Sequence, residues 1–203
     1  MKKEILARYK NGGIKALEDR EIIEIITGKT CETAAVYLRE EIDKGNNIKI
    51  NLFKDIFVKY LEQKLIKQRM LCRSSKEVFD YLYVSMRGLA IEEFKIIYLT
   101  SKNAVIKAET VFKGSLTSSS IYPREIFKNC INFKAAAVIF AHNHPSGEPE
   151  PSDSDKSITK TLTMAGHFME IKVLDHIIIG DNRYFSFADN GLIKEYEIAT
   201  KTM

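Results

Sequence analysis

Ala141-His142-Asn143-His144-Pro145-Ser146-Gly147-Glu148-Pro149-Glu150-Pro151-Ser152-Asp153-Ser154-Asp155 follows directly on an apolar run that begins at Ala135. That run is expected to be a central strand. His142 and His144 stand two apart, so extended backbone carried through them projects both imidazoles from one face. Three of the chain's four prolines lie between Pro145 and Pro151, which ends the strand and narrows the conformations of the loop. Ser152 is a good N-cap for a helix whose apolar residues recur at Ile158, Leu162 and Ala165, with Gly166 expected as the stop. Asp155 then falls in a first helical turn. It can cap the helix there and also serve as a third ligand beside the two histidines, leaving a fourth tetrahedral position for water. Taken apart, His-x-His and Ser-x-x-Asp are an ordinary strand end and an ordinary cap. In this order they predict a metal site of the open kind that catalytic zinc needs.

Outward from this stretch, strands and helices alternate. Ser74 or Ser75 is placed to cap a helix through Val78, Phe79, Leu82 and Tyr83. Phe94 to Leu99 is a buried strand by its aromatic and β-branched content, and Ser101-Lys102-Asn103 turns it into a second strand from Ala104 to Phe112. After Gly114 and a Ser/Thr-rich loop, Pro123 suits the first position of a helix through Ile126, Phe127 and Cys130. Beyond the metal stretch come strands at Ile171 to Leu174 and Ile177 to Ile179, a turn at Gly180-Asp181-Asn182, a strand at Tyr184 to Phe187 and a turn at Asp189-Asn190-Gly191. Helices interleaved with a mixed sheet make residues 74–203 an α/β or α+β domain. Residues 1–73 are helical in pattern, with Ile22, Ile25 and Ile26, then Ala35, Val36, Leu38 and Ile42, then a helix from Leu52 to Met70. A small N-terminal helical domain is expected there.

The 203 residues, 45% hydrophobic and 29% charged, suffice for one substantial core and a small appended domain and exclude wholesale disorder. Cys31, Cys72 and Cys130 are far apart and form no Cys-x-x-Cys pair, so neither a disulfide framework nor a thiolate zinc site is suggested. Met1 to Asn11 lacks the apolar core of a signal peptide, and no run approaches the ~18 apolar residues of a membrane span. A soluble cytoplasmic protein with no membrane partner is expected. The net charge of +4 is unevenly spread: up to Lys76 there are 17 Lys+Arg against 11 Asp+Glu, leaving 14 against 16 in the rest. A basic N-terminal part is compatible with nucleic acid, although lysine-rich solvated helices are commoner.

Hydrolysis at such a zinc also needs a base to take a proton from water and deliver it to the leaving amine. In His-Glu-x-x-His proteases the glutamate lies between the histidines, whereas here Asn143 stands between them, so the base must come from elsewhere. Glu92 is the choice, just before an apolar strand that could pair beside Ala135 to Ala141. Glu93, Glu109, Glu148 and Glu150 are rivals; the prolines around the last two are expected to hold them outward. Ser152 could donate a hydrogen bond to a developing oxyanion while it caps the helix.

These residues resemble the JAMM motif of the MPN-domain metalloproteases, a glutamate followed far downstream by His-x-His, seven residues and Ser-x-x-Asp. Every position matches, at Glu92, His142, His144, Ser152 and Asp155. More narrowly, Phe112-Lys113-Gly114, Pro123-Arg124-Glu125-Ile126, His142-Asn143-His144-Pro145-Ser146-Gly147, Pro151-Ser152 and Leu174-Asp175-His176 resemble the bacterial RadC-like family, over roughly 75–191. The resemblance implies a cytidine-deaminase-like (JAMM/MPN) mixed-sheet sandwich. It further implies zinc held by His142, His144 and Asp155, Glu92 rather than Glu93 as general base, and hydrolysis of peptide or isopeptide bonds in a peptide or protein substrate. The N-terminal part departs from the family, which usually carries a Gly-x-Gly helix-hairpin-helix; only Gly12-Gly13 and the isolated Gly28 and Gly45 occur here. His167 is left over, and Asp175-His176 is expected to be a structural hydrogen-bonding pair. The alternative function is a non-catalytic, DNA-repair-associated module for nucleic acid or protein, with a structural or vestigial metal. A nucleoside deaminase lacks its Pro-Cys-x-x-Cys ligands here, and an HNH nuclease is suggested only by the letters His142-Asn143-His144.

Overall fold

The computed structural model describes residues 71–114 and 121–202; the helical N-terminal domain and basic face expected before them lie outside the described residues. Their elements, in order, are α1 (Ser75–Met86), β1 (Glu93–Leu99), β2 (Val105–Lys113), α2 (Pro123–Asn132), β3 (Ala137–Asn143), α3 (Asp153–Phe168), β4 (Lys172–Ile179), β5 (Tyr184–Ser186) and α4 (Leu192–Lys201). The strands form one mixed sheet in the order β2-β1-β3-β4-β5. β1 pairs antiparallel with both β2 and β3, while β3 and β4 run parallel and are joined through α3, the crossover that a parallel pair requires. β5 returns antiparallel to β4.

Strand alternation divides the core between the two faces of the sheet. Phe94, Ile96 and Tyr98 of β1 and Val138 and Phe140 of β3 pack with Ile126 and Phe127 of α2, Ile158 and Leu162 of α3, and Ile193 and Tyr196 of α4. Ile97, Leu99, Ile139 and Ala141 point the other way, onto Val78, Phe79, Leu82 and Met86 of α1. Covered on both faces, β3 is buried at every position. His142, one step past Ala141, therefore emerges on the α3 face with no exposure at all.

Three expectations are corrected. β4 is a single strand from Lys172 to Ile179, not two, because Asp175 and His176 turn to opposite faces and each finds buried partners. A register shift opposite Val138/Ile139 accommodates the extra residue. Gly166 does not stop α3, which continues to Phe168. Its role is close approach: a Cβ there would stand 2.6 Å from the Ile171 carbonyl oxygen, where the chain returns to the sheet. The third is α4, absent from the expectations, which begins after Gly191 in the left-handed region and closes the larger core with Ile193 and Tyr196.

The loop between β3 and α3 is pinned along its first half. The His144 N–H donates to Ile179 O at 3.0 Å, which extends the β3–β4 ladder one residue past the strand. Asp181 N–H donates to Gly147 O at 2.8 Å, and Arg183 Nη2 reaches Glu148 Oε1 at 2.7 Å. A side chain at Gly180 would collide with the Gly147 carbonyl and stand 3.0 Å from Pro149 Cδ, so the β4–β5 turn must be bare where it supports the loop.

Candidate metal centre

His142 and His144 arrive from the end of β3 and Asp155 from the first turn of α3. Together they form the one group of metal-ligating side chains found among the described residues, with their ligand atoms all within 4.8 Å of one another. His142 Nε2 lies 3.0 Å from His144 Nε2 and 3.2 Å from Asp155 Oδ1; His144 Nε2 lies 3.5 Å from Asp155 Oδ2. Ligand atoms held at 2.0–2.1 Å around a tetrahedral zinc stand roughly 3.3 Å apart, so the spacing fits such an ion. Asp155 is set by a capping box. Its Oδ2 accepts the Ser152 N–H at 2.8 Å and the Ser152 hydroxyl at 2.6 Å, while its own N–H donates to Ser152 Oγ at 3.2 Å.

The chemistry of the three ligands agrees with their spacing. His144 Nδ1 lies 2.7 Å from the Glu148 carbonyl oxygen, which can only accept, so Nδ1 carries a proton and Nε2 is the nitrogen turned inward to His142 and Asp155. Burial pulls the His142 pKa down against the opposing pull of Asp155. Burial also works to lower His144, but its hydrogen bonds to Asp155 and to the Glu148 carbonyl win and raise it. Burial alone would raise Asp155; the two histidines and Ser152 outweigh it and hold the carboxyl well below its usual range. The group is thus a carboxylate and two imidazoles converging on one point, a set of lone pairs that suits a cation.

Glu92 stands one residue before β1, and period-two alternation places it on the same face as Phe94, whose backbone pairs with His142. Its negative charge reaches both histidines and raises their proton affinity. Glu93 points elsewhere, to Lys113 Nζ at 2.6 Å and Thr110 Oγ1 at 3.3 Å. Glu109 is engaged by the Tyr98 hydroxyl at 2.8 Å and Asn129 Nδ2 at 3.3 Å. Glu148 is exposed and paired with Arg183, and Glu150 is exposed, so the proline-rich loop does hold both outward. His167 is exposed near the end of α3.

Two residues near the ligands had been given no part in the site. Asn143, projecting opposite to the histidines, accepts the Glu93 N–H at 2.8 Å and donates to the Ile91 carbonyl at 3.2 Å, so one buried amide brackets Glu92. The Gly114 N–H adds a third tether, to the Glu92 carbonyl at 2.9 Å. His176 sits within 2.9 Å of His142 Nδ1. The parallel register of β3 and β4, which sets Phe140 against His176, would have suggested that neighbourhood; the sequence contains no direct sign of it.

Residues 72–192 match the model of a family described as the RadC-like JAB domain. The chain is 44% identical over 146 residues to UPF0758 protein PSHAa2643 of Pseudoalteromonas translucida, covering 72% of this chain and 65% of that protein. It is 43% identical over 133 residues to UPF0758 protein YfjY of Escherichia coli, covering 66% of this chain and 83% of that protein. A longer match, 37% identical over 182 residues, joins it to UPF0758 protein GWCH70_2550 of a Geobacillus species, covering 89% of this chain and 75% of that protein.

Proposed function

The chain belongs to the RadC-like JAB domain family, and on that premise we propose that it is a zinc-dependent hydrolase of peptide or isopeptide bonds. The observation that carries this reading is the convergence of two imidazoles and a carboxylate within 4.8 Å, with a glutamate on the same face. His142, His144 and Asp155 would hold the ion, which when bound supplies Lewis acidity and lowers the pKa of a water in its open position to about 7. Glu92 takes a proton from the attacking water and returns it to the leaving amine. Its main chain is tethered by Asn143 and Gly114, so the carboxylate hangs from a fixed point, and fixed placement is a large part of what general-base catalysis requires. Ser152 is exposed, and its hydroxyl can turn from Asp155 Oδ2 to donate to the oxyanion that develops on the scissile carbonyl.

The test begins with metal content. The untagged protein should hold about one zinc per chain, and His142→Ala and Asp155→Ala should each abolish it. A library of linear peptides and lysine-branched isopeptides, followed by mass spectrometry, should then show cleavage that Glu92→Gln removes while zinc is retained. A parent protein that takes up no zinc defeats the reading. So does cleavage that persists undiminished in Glu92→Gln, as far as the role of Glu92 is concerned.

A further inference from the structure

Behind the ligands, a chain of buried hydrogen bonds runs from Asp155 back to His142. Thr159 Oγ1 lies 2.5 Å from the Asp155 carbonyl oxygen, one helical turn earlier, and 2.6 Å from His176 Nδ1. His176 Nε2 lies 2.9 Å from His142 Nδ1. The direction of every proton follows from the first link. A carbonyl oxygen has only lone pairs, so the single hydroxyl proton of Thr159 goes to Asp155 O. Thr159 Oγ1 must then accept from His176, which places the His176 proton on Nδ1. The ring is enclosed by Phe94, Phe140 and Phe187 and hydrogen-bonds only to Thr159 and His142, with no carboxylate to pair a charge, so it is neutral and its Nε2 carries a lone pair. That lone pair accepts from His142 Nδ1–H. The reverse order of protons would set two acceptors, the Thr159 oxygen and the Asp155 carbonyl, face to face at 2.5 Å.

The His176 ring cannot turn away from this arrangement cheaply. It is 1% exposed, stacked on Phe187 at 5.0 Å, and met edge-on by Phe94 at 5.5 Å and Phe140 at 6.2 Å. Such a clamp leaves room for one orientation.

We propose that His176 and Thr159 are positioning residues of the metal centre: anchored on the Asp155 carbonyl, they hold His142 as its Nδ1–H tautomer and keep its Nε2 lone pair facing the cation. This rests on the metal reading above and adds a coupling to it. Asp155 offers its carboxylate to the ion and, through its main chain, sets the tautomer of a second ligand on a different element. Outer partners of this kind commonly contribute about 10–100-fold to metal affinity.

The experiment has two arms on the full chain. In the first, long-range proton–nitrogen spectra of the histidine rings in the zinc-free parent should show His142 protonated at Nδ1 and His176 at Nδ1. A His142 ring protonated only at Nε2 overturns the proposal, whether or not the protein ever binds zinc, so this arm fails separately from the metal reading. In the second, zinc affinity is measured by competition with a chelator. His176→Phe keeps an aromatic ring but removes the acceptor, and should weaken zinc about 10–100-fold. His176→Gln, whose amide can both accept and donate, should recover part of the loss. Thr159→Val should weaken zinc less than His176→Phe and should mix the two His176 tautomers. Equal zinc affinity in the parent and in folded His176→Phe and Thr159→Val would overturn the proposal.

Discussion

Two buried aspartates, Asp155 and Asp175, are 3% and 4% exposed and differ in almost every other respect. Asp175, on β4, is surrounded by proton donors. Its Oδ1 accepts the His176 N–H at 2.7 Å and the Ala188 N–H at 2.9 Å; its Oδ2 accepts the Ser186 hydroxyl at 2.7 Å and lies 2.9 Å from the Ser75 hydroxyl. Burial still pushes its carboxyl up, against those hydrogen bonds. Asp155 takes both Ser152 donors on Oδ2, which also lies 3.5 Å from His144 Nε2, and turns Oδ1 toward His142 Nε2. One carboxylate fastens α1 and the turn after β5 to the sheet, and its coordination by protons is complete. The other meets two imidazoles at a converging set of ligand atoms, an arrangement that suits a cation. Burial of an acid therefore says little about its role; what decides it is whether the neighbours bring protons or lone pairs.

The contrast can be broken by experiment, beginning where the effect should be greatest. Zinc present at about a thousand times its Kd should stabilise the fold by roughly 4 kcal/mol, read as a rise in Tm that a chelator reverses. Asp155→Asn should abolish that rise, and a zinc-dependent Tm surviving in this variant would show that the ion is held elsewhere. Asp175→Ala should cost about 3 kcal/mol by leaving several buried donors without partners, yet the folded variant should still take up one zinc. Loss of zinc from well-folded Asp175→Ala would erase the distinction between the two residues.

Smaller effects sharpen the comparison. Asn143→Leu leaves the Glu93 N–H and the Ile91 carbonyl unpaired and should cost about 2 kcal/mol in denaturant unfolding, with zinc stoichiometry unchanged. Reduced zinc content there would mean that Asn143 supports the ligands as well as Glu92. Gly180→Ala presses on Gly147 and Pro149 and should cost about 1 kcal/mol while speeding zinc exchange, since the loop that carries His144 must shift. Unchanged exchange with lowered stability would place the strain outside the site.

Much of the domain was legible because its signals are local. Alternation in Phe94 to Leu99, the apolar run before His142 and the proline at the start of α2 depend on neighbours two to four residues away. The same holds for His-x-His and Ser-x-x-Asp, where spacing alone brings ligands onto one face and one helical turn. The missed features depend on distant partners. α4 is the exception, since Ile193, Tyr196 and Thr200 stand at helical spacing after the turn, whereas β4 looked broken because Asp175 and His176 are polar in the middle of a strand. Gly166 looked like a helix stop because the returning chain that needs its bare surface is not visible from its neighbours.

What the sequence determined by itself is which residues can meet a cation, since backbone periodicity sets the face on which His142 and His144 project and the cap sets the turn that holds Asp155. Only the tertiary structure decided what completes each of them. Pairing β1 with β3 brings Glu92 within electrostatic reach of both histidines and gives Asn143 its two main-chain partners; pairing β3 with β4 brings His176 to His142, and packing α3 over both brings Thr159 to His176. Hydrogen bonds act over about 3 Å while the chain separates these partners by 17 to 52 residues, so only folding can make the donors and acceptors neighbours.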